Sequence, residues 1–303
     1  MSRHTGRDRQ SPVRGASRNA IVTWQTDSAG PSGTRSDSMK HSRGFSDHFG
    51  RIASTYAEVR DTDPHVVDTI IARIPRHDRP VDLMDIGCGT GRYTRVMIRK
   101  YVGDLRLVCC DHSGPMLAEC SKRLSGEFPG TVIHYSCGSA NDLPLYGGSL
   151  DGIITFNAVH HFDLDRFITG ASRVLRPGGV LAIYTRTPEQ NARTIWGKHF
   201  PGFTEHETRL YSHGRLKRAI DVGTGLCLED IKEFKNKRAD SIESLRHRAC
   251  NFHYSTFVLY PEQEFSDAIE VFSERLSHLT EDGMIHHTAE NTLVVARRVG
   301  TAG

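Results

Sequence analysis

Strand-like and helix-like runs alternate along the chain from Phe45 onward, and this alternation constrains the fold more than any other sequence feature. The strand-like runs are VDLMDI, LRLVCC, TVIHYSC, LDGIITF and GVLAIYT, and the helix-like runs between them are RYTRVMIRKY, PMLAECSKRL and DRFITGASRVL. Strands that alternate with helices pair in parallel through crossover connections. The sequence therefore predicts an α/β fold built on a doubly wound sheet.

The second half of the chain departs from this alternation. Residues 187–223 carry no strong strand signal, and we interpret them as an insertion over one end of the sheet. The patterns that follow predict a strand at 225–234, helices near 241–253 and 262–279, and a last strand at 291–298.

The opening of the chain differs in composition from the rest. Residues 1–43 are rich in Ser, Gly and Arg and have few apolar side chains, so we expect a disordered tail followed by one domain at 44–303.

The net charge of +3 is too small to indicate a nucleic-acid partner. The sequence has no apolar run long enough for a membrane span and no signal-peptide core, and we expect a cytoplasmic protein.

The run DIGCGTG at 85–91 lies between the first strand and the first crossover helix. Glycine tolerates positive φ angles and lets a ligand touch the backbone, and a helix start offers unpaired N–H groups. Asp111 ends the second strand, twenty positions after Gly91, where a carboxylate can accept hydrogen bonds from ribose hydroxyls. These features predict a ligand site at the carboxyl ends of the strands.

Two classes of cofactor fit a glycine loop with a downstream acid. The dinucleotide fingerprint is G-x-G-x-x-G, whereas this chain has G-x-G-x-G. Asp85 enters the loop where it would repel a diphosphate and attract an ammonium group. The sequence therefore favours a ligand with an amino-acid end, and a nicotinamide oxidoreductase is the disfavoured alternative.

Four landmarks in this order resemble the class I S-adenosylmethionine-dependent methyltransferases, most of all the small-molecule branch with the ubiquinone and menaquinone biosynthesis enzymes. They are DIGCGTG (85–91), DHSGPML (111–117), the stretch from SANDLPL to LDGIITFNAVHHF (139–162) and LRPGG (175–179). The resemblance covers about residues 45–186. It implies a Rossmann-like seven-stranded sheet, mostly parallel with an antiparallel last strand and helices on both faces, and S-adenosyl-L-methionine as the cofactor.

The resemblance also implies which residues hold that cofactor. The glycine-loop residues would bind the methionine part, the residues after the second strand the ribose and adenine, and an N-terminal helix at 45–60 would fold over the ligand. Where related sequences often carry an acid, this chain has Ser139, so no acidic partner of the adenine amine is assigned. The implied set is Tyr56, Asp85, Gly87, Cys88, Gly89, Gly91, Asp111, His112, Met116, Ala140, Asn141 and Asn157.

A base is not obligatory for methyl transfer from a sulfonium, because the protein mainly positions the acceptor and excludes water. If the acceptor loses a proton, His160 or His161 after the fourth strand is the best-placed base. The alternative is that one histidine packs at the helix start and the other is solvated. For Tyr56, packing against the sheet is likewise an alternative to a cofactor contact.

The acceptor site is expected in the elaborations at 187–223 and 239–288. Their aromatic residues either line an aromatic-tolerant pocket or form a small core of their own; they are Trp196, Phe200, Phe203 and Tyr211. No Asn-Pro-Pro-Tyr or Asp-Pro-Pro-Tyr string follows the fourth strand, so a small organic acceptor is favoured over a nucleic acid. A non-catalytic module that binds the cofactor as a sensor is the alternative from another class.

Metal binding is not expected from the sequence. The seven cysteines lack C-x-x-C spacing and are interpreted as buried free thiols, with Cys109 and Cys110 in the core. The histidines at 199, 206 and 213 lack the i, i+4 spacing of a helical metal site.

Overall fold

A computed structural model describes residues 62–222 and 225–300, and its framework is a seven-stranded sheet in the order β3-β2-β1-β4-β5-β7-β6. Strands β1 to β5 pair in parallel, whereas β7 is antiparallel to both of its neighbours. The predicted fold class, including the antiparallel last strand, is confirmed. The strands are β1 (Val81–Ile86), β2 (Leu105–Asp111), β3 (Val132–Cys137), β4 (Leu150–Phe156), β5 (Leu175–Thr185), β6 (Leu226–Asp240) and β7 (Ile285–Arg298).

Helices cover both faces of the sheet, and further helices form a layer beyond its carboxyl edge. The α-helices of the described chain are α1 (Pro64–Ile71), α2 (Arg92–Lys100), α3 (Gly114–Glu127), α4 (Leu164–Val174), α5 (Pro188–Arg193), α6 (Ile195–His199), α7 (Phe203–His206), α8 (His213–Asp221), α9 (Ile242–Cys250) and α10 (Glu262–Ser277). Two 3₁₀ segments lie at Val159–His161 and Ser255–Leu259. Within these ranges, no helix has the length and apolar character that a membrane span requires.

The central strands are buried along their whole length, which explains their unbroken apolar sequences. Every residue of β1 and β4 is buried, because helices cover both faces of a parallel sheet. One face packs Met84 and Ile86 with residues of α4 and α8, and the opposite face packs Leu83 with residues of α1 and α2. This two-sided core holds the carboxyl ends of β1 and β4 rigidly in place.

The last two strands are longer than the sequence patterns predicted. They pair without a break from Leu226 opposite Arg298 to Asp240 opposite Ile285, with one register shift between Leu228 and Asp230. The added part of β6, KNKRAD, has no apolar alternation. Hydrogen bonding of its backbone to β7, and not burial of one face, keeps this segment in the strand. The two strands therefore extend past the sheet edge and carry the helical layer.

The strand order reverses between β1 and β4, because the chain leaves β3 at one edge and returns to the centre. Such a switch point opens a crevice at the carboxyl ends of the strands. The amino ends of the same strands carry a buried ion network in which Asp151 accepts two hydrogen bonds from Arg79, at 2.6 and 2.8 Å. Although burial opposes it, this contact lowers the pKa of Asp151 to about 2. The open crevice and the ion network therefore lie at opposite edges of the sheet.

Candidate functional site

Three glycines between β1 and α2 have positive φ angles, but they do not all serve the same purpose. A Cβ on Gly87 would lie 2.5 Å from the Cβ of Ala158, and one on Gly91 would lie 2.6 Å from the Sγ of Cys120. A Cβ on Gly89 would meet nothing within 4 Å. Gly87 and Gly91 are therefore required by protein packing, and Gly89 leaves space for a ligand.

Asp85, near the end of β1, is only 4% exposed. Its Oδ2 accepts a hydrogen bond from Thr94 Oγ1 at 2.5 Å, while its Oδ1 has no hydrogen-bond partner among the described residues. Burial raises the pKa of Asp85 to about 7, against the opposing hydrogen bond from Thr94. A buried carboxylate oxygen without a donor fits a ligand that brings a cation and an N–H group.

Asp111 ends β2 and shapes the loop that it faces. Its Oδ2 accepts from the backbone N–H of Gly89 at 2.7 Å, and its Oδ1 accepts from that of Ser113 at 2.9 Å. Burial raises the pKa of Asp111, and these two N–H donors partly offset that rise. A carboxylate oxygen can accept more than one hydrogen bond, so Asp111 can hold the loop and still bind a ligand hydroxyl.

A cavity of about 340 Å³ lies at the switch point between β1, β2 and β4 and is called the large cavity here. It brings together ten of the predicted cofactor residues and both predicted base candidates. They are Asp85, Gly87, Cys88, Gly89, Asp111, His112, Met116, Ala140, Asn141 and Asn157, together with His160 and His161.

Two predicted residues are not placed in the large cavity. Gly91 does not line it, because its α-carbon packs against Cys120 and Leu124 of α3, and a contact of Gly91 with the cofactor stays a prediction. Tyr56 and the predicted helix at 45–60 lie outside the described residues, as does the tail at 1–43.

The large cavity also has walls that the sequence did not reveal. Tyr93 and Phe156 stack with ring centroids 4.2 Å apart, and Ser255 reaches the cavity from a distant part of the chain. Tyr93 occupies the second position of α2, so its place beside the glycine loop is a signal that could have been used. Ser255 gave no such signal, because only the tertiary fold brings the segment after α9 to the strand ends.

Asn157 lies at the junction between the large cavity and two smaller ones, of about 60 and 40 Å³, which are called the two polar cavities here. It has a φ of 52°, and its backbone N–H donates to the carbonyl oxygen of Tyr184 at 2.7 Å. Asparagine tolerates this left-handed conformation better than most side chains, and such residues concentrate at functional sites.

The two histidines of the 3₁₀ segment have different surroundings. Their ring centroids are 4.2 Å apart. His160 is half-buried and lines both the large cavity and the smaller polar cavity, whereas His161 is exposed and lines the large cavity alone. Of the two, His160 faces the space where two ligands would meet.

Arg186, directly after β5, lines both polar cavities and is only 8% exposed. Its Nε donates to the carbonyl oxygen of Glu290 at 3.1 Å, and its Nη2 donates to the hydroxyl of Tyr254 at 2.9 Å. No carboxylate in the described chain lies within ion-pair distance of it. A buried guanidinium with only neutral protein partners is an unusual arrangement, because burial of a charge is costly unless an anion pairs with it.

The larger polar cavity has more basic than acidic side chains among its described lining residues. Arg238, Arg248, His253 and His287 line it together with one carboxylate, Asp63, and two of these basic residues, Arg248 and His287, also pair with Asp240, at 3.1 and 2.9 Å. Asp63 accepts from Asn236 Nδ2 at 2.9 Å and from the hydroxyl of Tyr184 at 3.4 Å. These cavities are therefore suited to a polar, anionic group.

Glu207, the only carboxylate among the described residues that line the smaller polar cavity, is bound on both oxygens by other side chains. Arg209 and Thr256 donate to it, at distances between 2.5 and 2.9 Å. Its charge is thus compensated within the protein, and it does not offset that of Arg186.

Three aromatic residues of the insertion form a core, and one of them, Trp196, also lines the larger polar cavity. Trp196, Phe200 and Phe203 are at most 3% exposed and pack with Phe257 and Phe272. These residues belong to the layer beyond the sheet edge, which consists of α6, α7, α9, α10 and the second 3₁₀ segment and is called the second helical layer here. Trp196 stacks on Phe272 with ring centroids 4.9 Å apart. This layer must bury its own apolar surface because it lies beyond the sheet, so these aromatic side chains serve mainly as its core.

Tyr211 is separate from that layer and is half-buried against the main core. Its hydroxyl donates to the carbonyl oxygen of Phe162 at 2.7 Å, so it secures the segment after the two histidines. It does not line the large cavity or either polar cavity.

Residues 84–183 match the family described as "Methyltransferase domain". The probable tRNA methyltransferase 9B of Homo sapiens is 36% identical over 115 residues, which are 37% of this chain and 22% of that protein. An uncharacterized methyltransferase of Mycobacterium bovis is 30% identical over 149 residues, 49% of this chain and 56% of its own. The chain thus spans about a fifth of the length of the tRNA methyltransferase and about half that of the mycobacterial relative.

Solved structures share the fold at low sequence identity. A protein from Bacillus halodurans C-125 has a TM-score of 0.56 at 18% identity and covers 79% of this chain and 100% of its own. The cyclase SpnF has a TM-score of 0.53 at 18% identity, over 78% of this chain and 82% of its own. The geranyl diphosphate C-methyltransferase of Streptomyces coelicolor, solved with S-adenosyl-L-homocysteine, has a TM-score of 0.50 at 15% identity, over 78% and 79%.

Proposed function

We propose that this chain, which carries a class I S-adenosylmethionine-dependent methyltransferase domain, transfers a methyl group to a small organic acceptor with an anionic group. One observation carries the proposal: the large cavity at the glycine loop shares Asn157 with two polar cavities lined by Arg186. A cofactor site and a separate, chemically different acceptor site then adjoin each other, and Asn157 lines all three cavities. A module that only binds the cofactor has no need of the second site.

S-adenosylmethionine fits the residues of the large cavity. Asp85 Oδ1 lacks a donor and suits the ammonium group, and Gly89 leaves open space at the loop. Asp111 suits the ribose hydroxyls, and Met116 and Ala140 offer apolar contacts for the adenine. When bound, the cofactor supplies an activated methyl group on a sulfonium. The G-x-G-x-G spacing and the family match together disfavour the nicotinamide alternative.

Cofactor affinity is expected to rise with pH up to neutrality, because the ammonium group needs an ionised Asp85. Burial raises the pKa of Asp85 to about 7, so its ionised fraction increases about fivefold from pH 6 to pH 7. Isothermal titration with S-adenosylhomocysteine should show an affinity increase of about that size. Above about pH 8 the gain should reverse as the α-amino group of the ligand loses its proton.

Asp85→Asn is the control for this pH dependence. The imidazoles of His112, His160 and His161 also face the large cavity, but they are unchanged in this variant. The variant should bind more weakly at pH 7 and show a flatter profile between pH 6 and 7. A slope as steep as that of the wild type would assign the pH dependence to the histidines.

The chain's own residues position the acceptor and exclude water in this proposal. Arg186 binds the anionic group, and Asn157 lies where the acceptor and the cofactor meet. His160 is assigned as the base for an acceptor that carries a proton, because it lines the large cavity and the smaller polar cavity alike. His161, being exposed, is assigned no part in the proton transfer.

A nucleoside in tRNA is the second candidate acceptor, favoured by the similarity to the probable tRNA methyltransferase 9B of Homo sapiens. The anion site suits either acceptor. The small molecule is preferred because the two polar cavities are only about 60 and 40 Å³ and residues of the second helical layer form part of their walls. The absence of Asn-Pro-Pro-Tyr after β4 agrees with that preference.

Transfer of a tritiated methyl group tests the function and the acceptor class together. Label should enter a small-molecule extract, should be lost when anions are first removed from the extract with an exchange resin, and should not enter total tRNA. Label in tRNA alone would overturn the small-molecule assignment. Tight binding of S-adenosylhomocysteine without transfer to either pool would identify a sensor.

Arg186→Gln should lower the rate of methyl transfer about ten- to a hundredfold when the acceptor in the extract is limiting, because the variant loses a charge-assisted contact with that acceptor. Its affinity for S-adenosylhomocysteine should be unchanged, since Arg186 does not line the large cavity. Arg193→Gln is the matched control, because Arg193 pairs with the side chain of Glu290 at 2.6 Å and lines none of the three cavities. Equal rates in both variants would exclude the anion site.

A further inference from the structure

Three cysteines from separate elements meet below the glycine loop. Cys88 belongs to the loop, Cys109 to β2 and Cys120 to α3, and their Sγ atoms all lie within 4.8 Å of one another. None of the three is more than 9% exposed. The sequence did not predict this cluster, because the residues are 11 to 32 positions apart and have no metal-binding spacing. We propose that these three thiols bind a thiophilic divalent metal ion of the zinc or cadmium class.

The separation of the sulfur atoms suits such an ion. With Zn–S bonds of about 2.3 Å, tetrahedral geometry places two sulfur ligands roughly 3.8 Å apart. The three Sγ atoms therefore need to move by less than about an ångström each to share one ion. Soft thiolates select zinc, cadmium and copper(I) over magnesium or calcium, which prefer oxygen ligands.

The surroundings provide both a dry shell and an entry path. Leu117 and Leu124 pack against the thiols on the side of α3. Cys88 lines the large cavity, so an ion can reach the cluster from there. Binding releases three thiol protons and forms three metal–sulfur bonds without any change in oxidation state. The other four cysteines are outside the cluster: Cys110 is buried elsewhere, and Cys137, Cys227 and Cys250 are exposed.

The experiment uses the full chain, reduced and freed of metal, with the exposed thiols removed by Cys137→Ser, Cys227→Ser and Cys250→Ser. Titration with cadmium should produce the ultraviolet charge-transfer band of cadmium thiolate, saturating at about one ion per chain, and should protect about three thiols from a thiol reagent. Neither readout depends on enzyme activity. A background variant that shows no saturable band, or protects no thiols, would overturn the proposal without affecting the proposed function.

Single substitutions assign the ligands. Cys120→Ser and Cys88→Ala should each reduce the cadmium band and its stoichiometry, whereas Cys110→Ser should leave both unchanged. Circular dichroism confirms that each variant is folded before titration. Of the two variants, Cys88→Ala should disturb the fold less, because the side chain of Cys88 lies at the edge of the large cavity. A band that survives the loss of Cys88 and of Cys120, or that disappears with Cys110, would contradict the assigned site.

Discussion

Replacement of Gly89 by valine should reduce the affinity for S-adenosylhomocysteine by at least about a hundredfold, which corresponds to about 2.7 kcal/mol. A Cβ at this position meets no protein atom within 4 Å, so the added side chain would occupy the space of the ligand and not that of the core. The φ of 54° adds a conformational penalty of about 1–2 kcal/mol for a residue that has a Cβ. Isothermal titration measures the affinity, and thermal melting measures the loss of stability that the conformational penalty causes.

Gly148→Val separates the two effects. Gly148 has a similar φ of 63°, and a Cβ there also meets nothing within 4 Å, but it lines none of the three cavities. It should lose stability by an amount like that of Gly89→Val and bind the ligand as the wild type does. If both variants bind equally well, the glycine loop does not hold the cofactor.

Replacement of Trp196 by alanine should lower the free energy of unfolding by about 3–5 kcal/mol, the usual cost of removing a buried aromatic side chain. Trp196 is 3% exposed and contacts rings of two other elements, including Phe272 in α10 and Phe257. The second helical layer depends on these contacts, because it packs little against the sheet core. Chemical denaturation measures the change.

The cofactor affinity of the Trp196→Ala variant should be unchanged well below its melting temperature, since Trp196 does not line the large cavity. Tyr146→Ala is the surface control, with a side chain that is 46% exposed, and it should change stability by less than about 0.5 kcal/mol. An equally small loss for Trp196→Ala would favour the abandoned interpretation, in which the aromatic residues line a pocket and do not form a core.

Much of the cofactor site was predictable because it depends on local rules. The carboxyl ends of parallel strands meet at one edge, so Asp85, Asp111 and Asn157 could be placed together from their positions after strands. Gly91 shows the limit of that reasoning. Its positive φ was implied by the sequence, but whether its α-carbon faces a ligand or α3 depends on how the helix packs.

The acceptor side was less predictable because its residues converge from distant elements. Arg186 follows β5, whereas Tyr254 precedes the second 3₁₀ segment and Glu290 belongs to β7. The sequence contains no periodicity that links these positions. The same holds for Cys88, Cys109 and Cys120, which were expected to be inert core residues or loop contacts.

The sequence by itself determined the parallel sheet, the glycine loop and the carboxylates beside it, because hydrophobic period and strand-end position are local properties of the chain. Only the tertiary structure decided that the insertion's aromatic residues form a core, that Arg186 lacks an ion-pair partner in the described chain, and that three thiols meet below the loop. Those features depend on contacts between residues far apart in the chain, and such contacts form only when the elements pack.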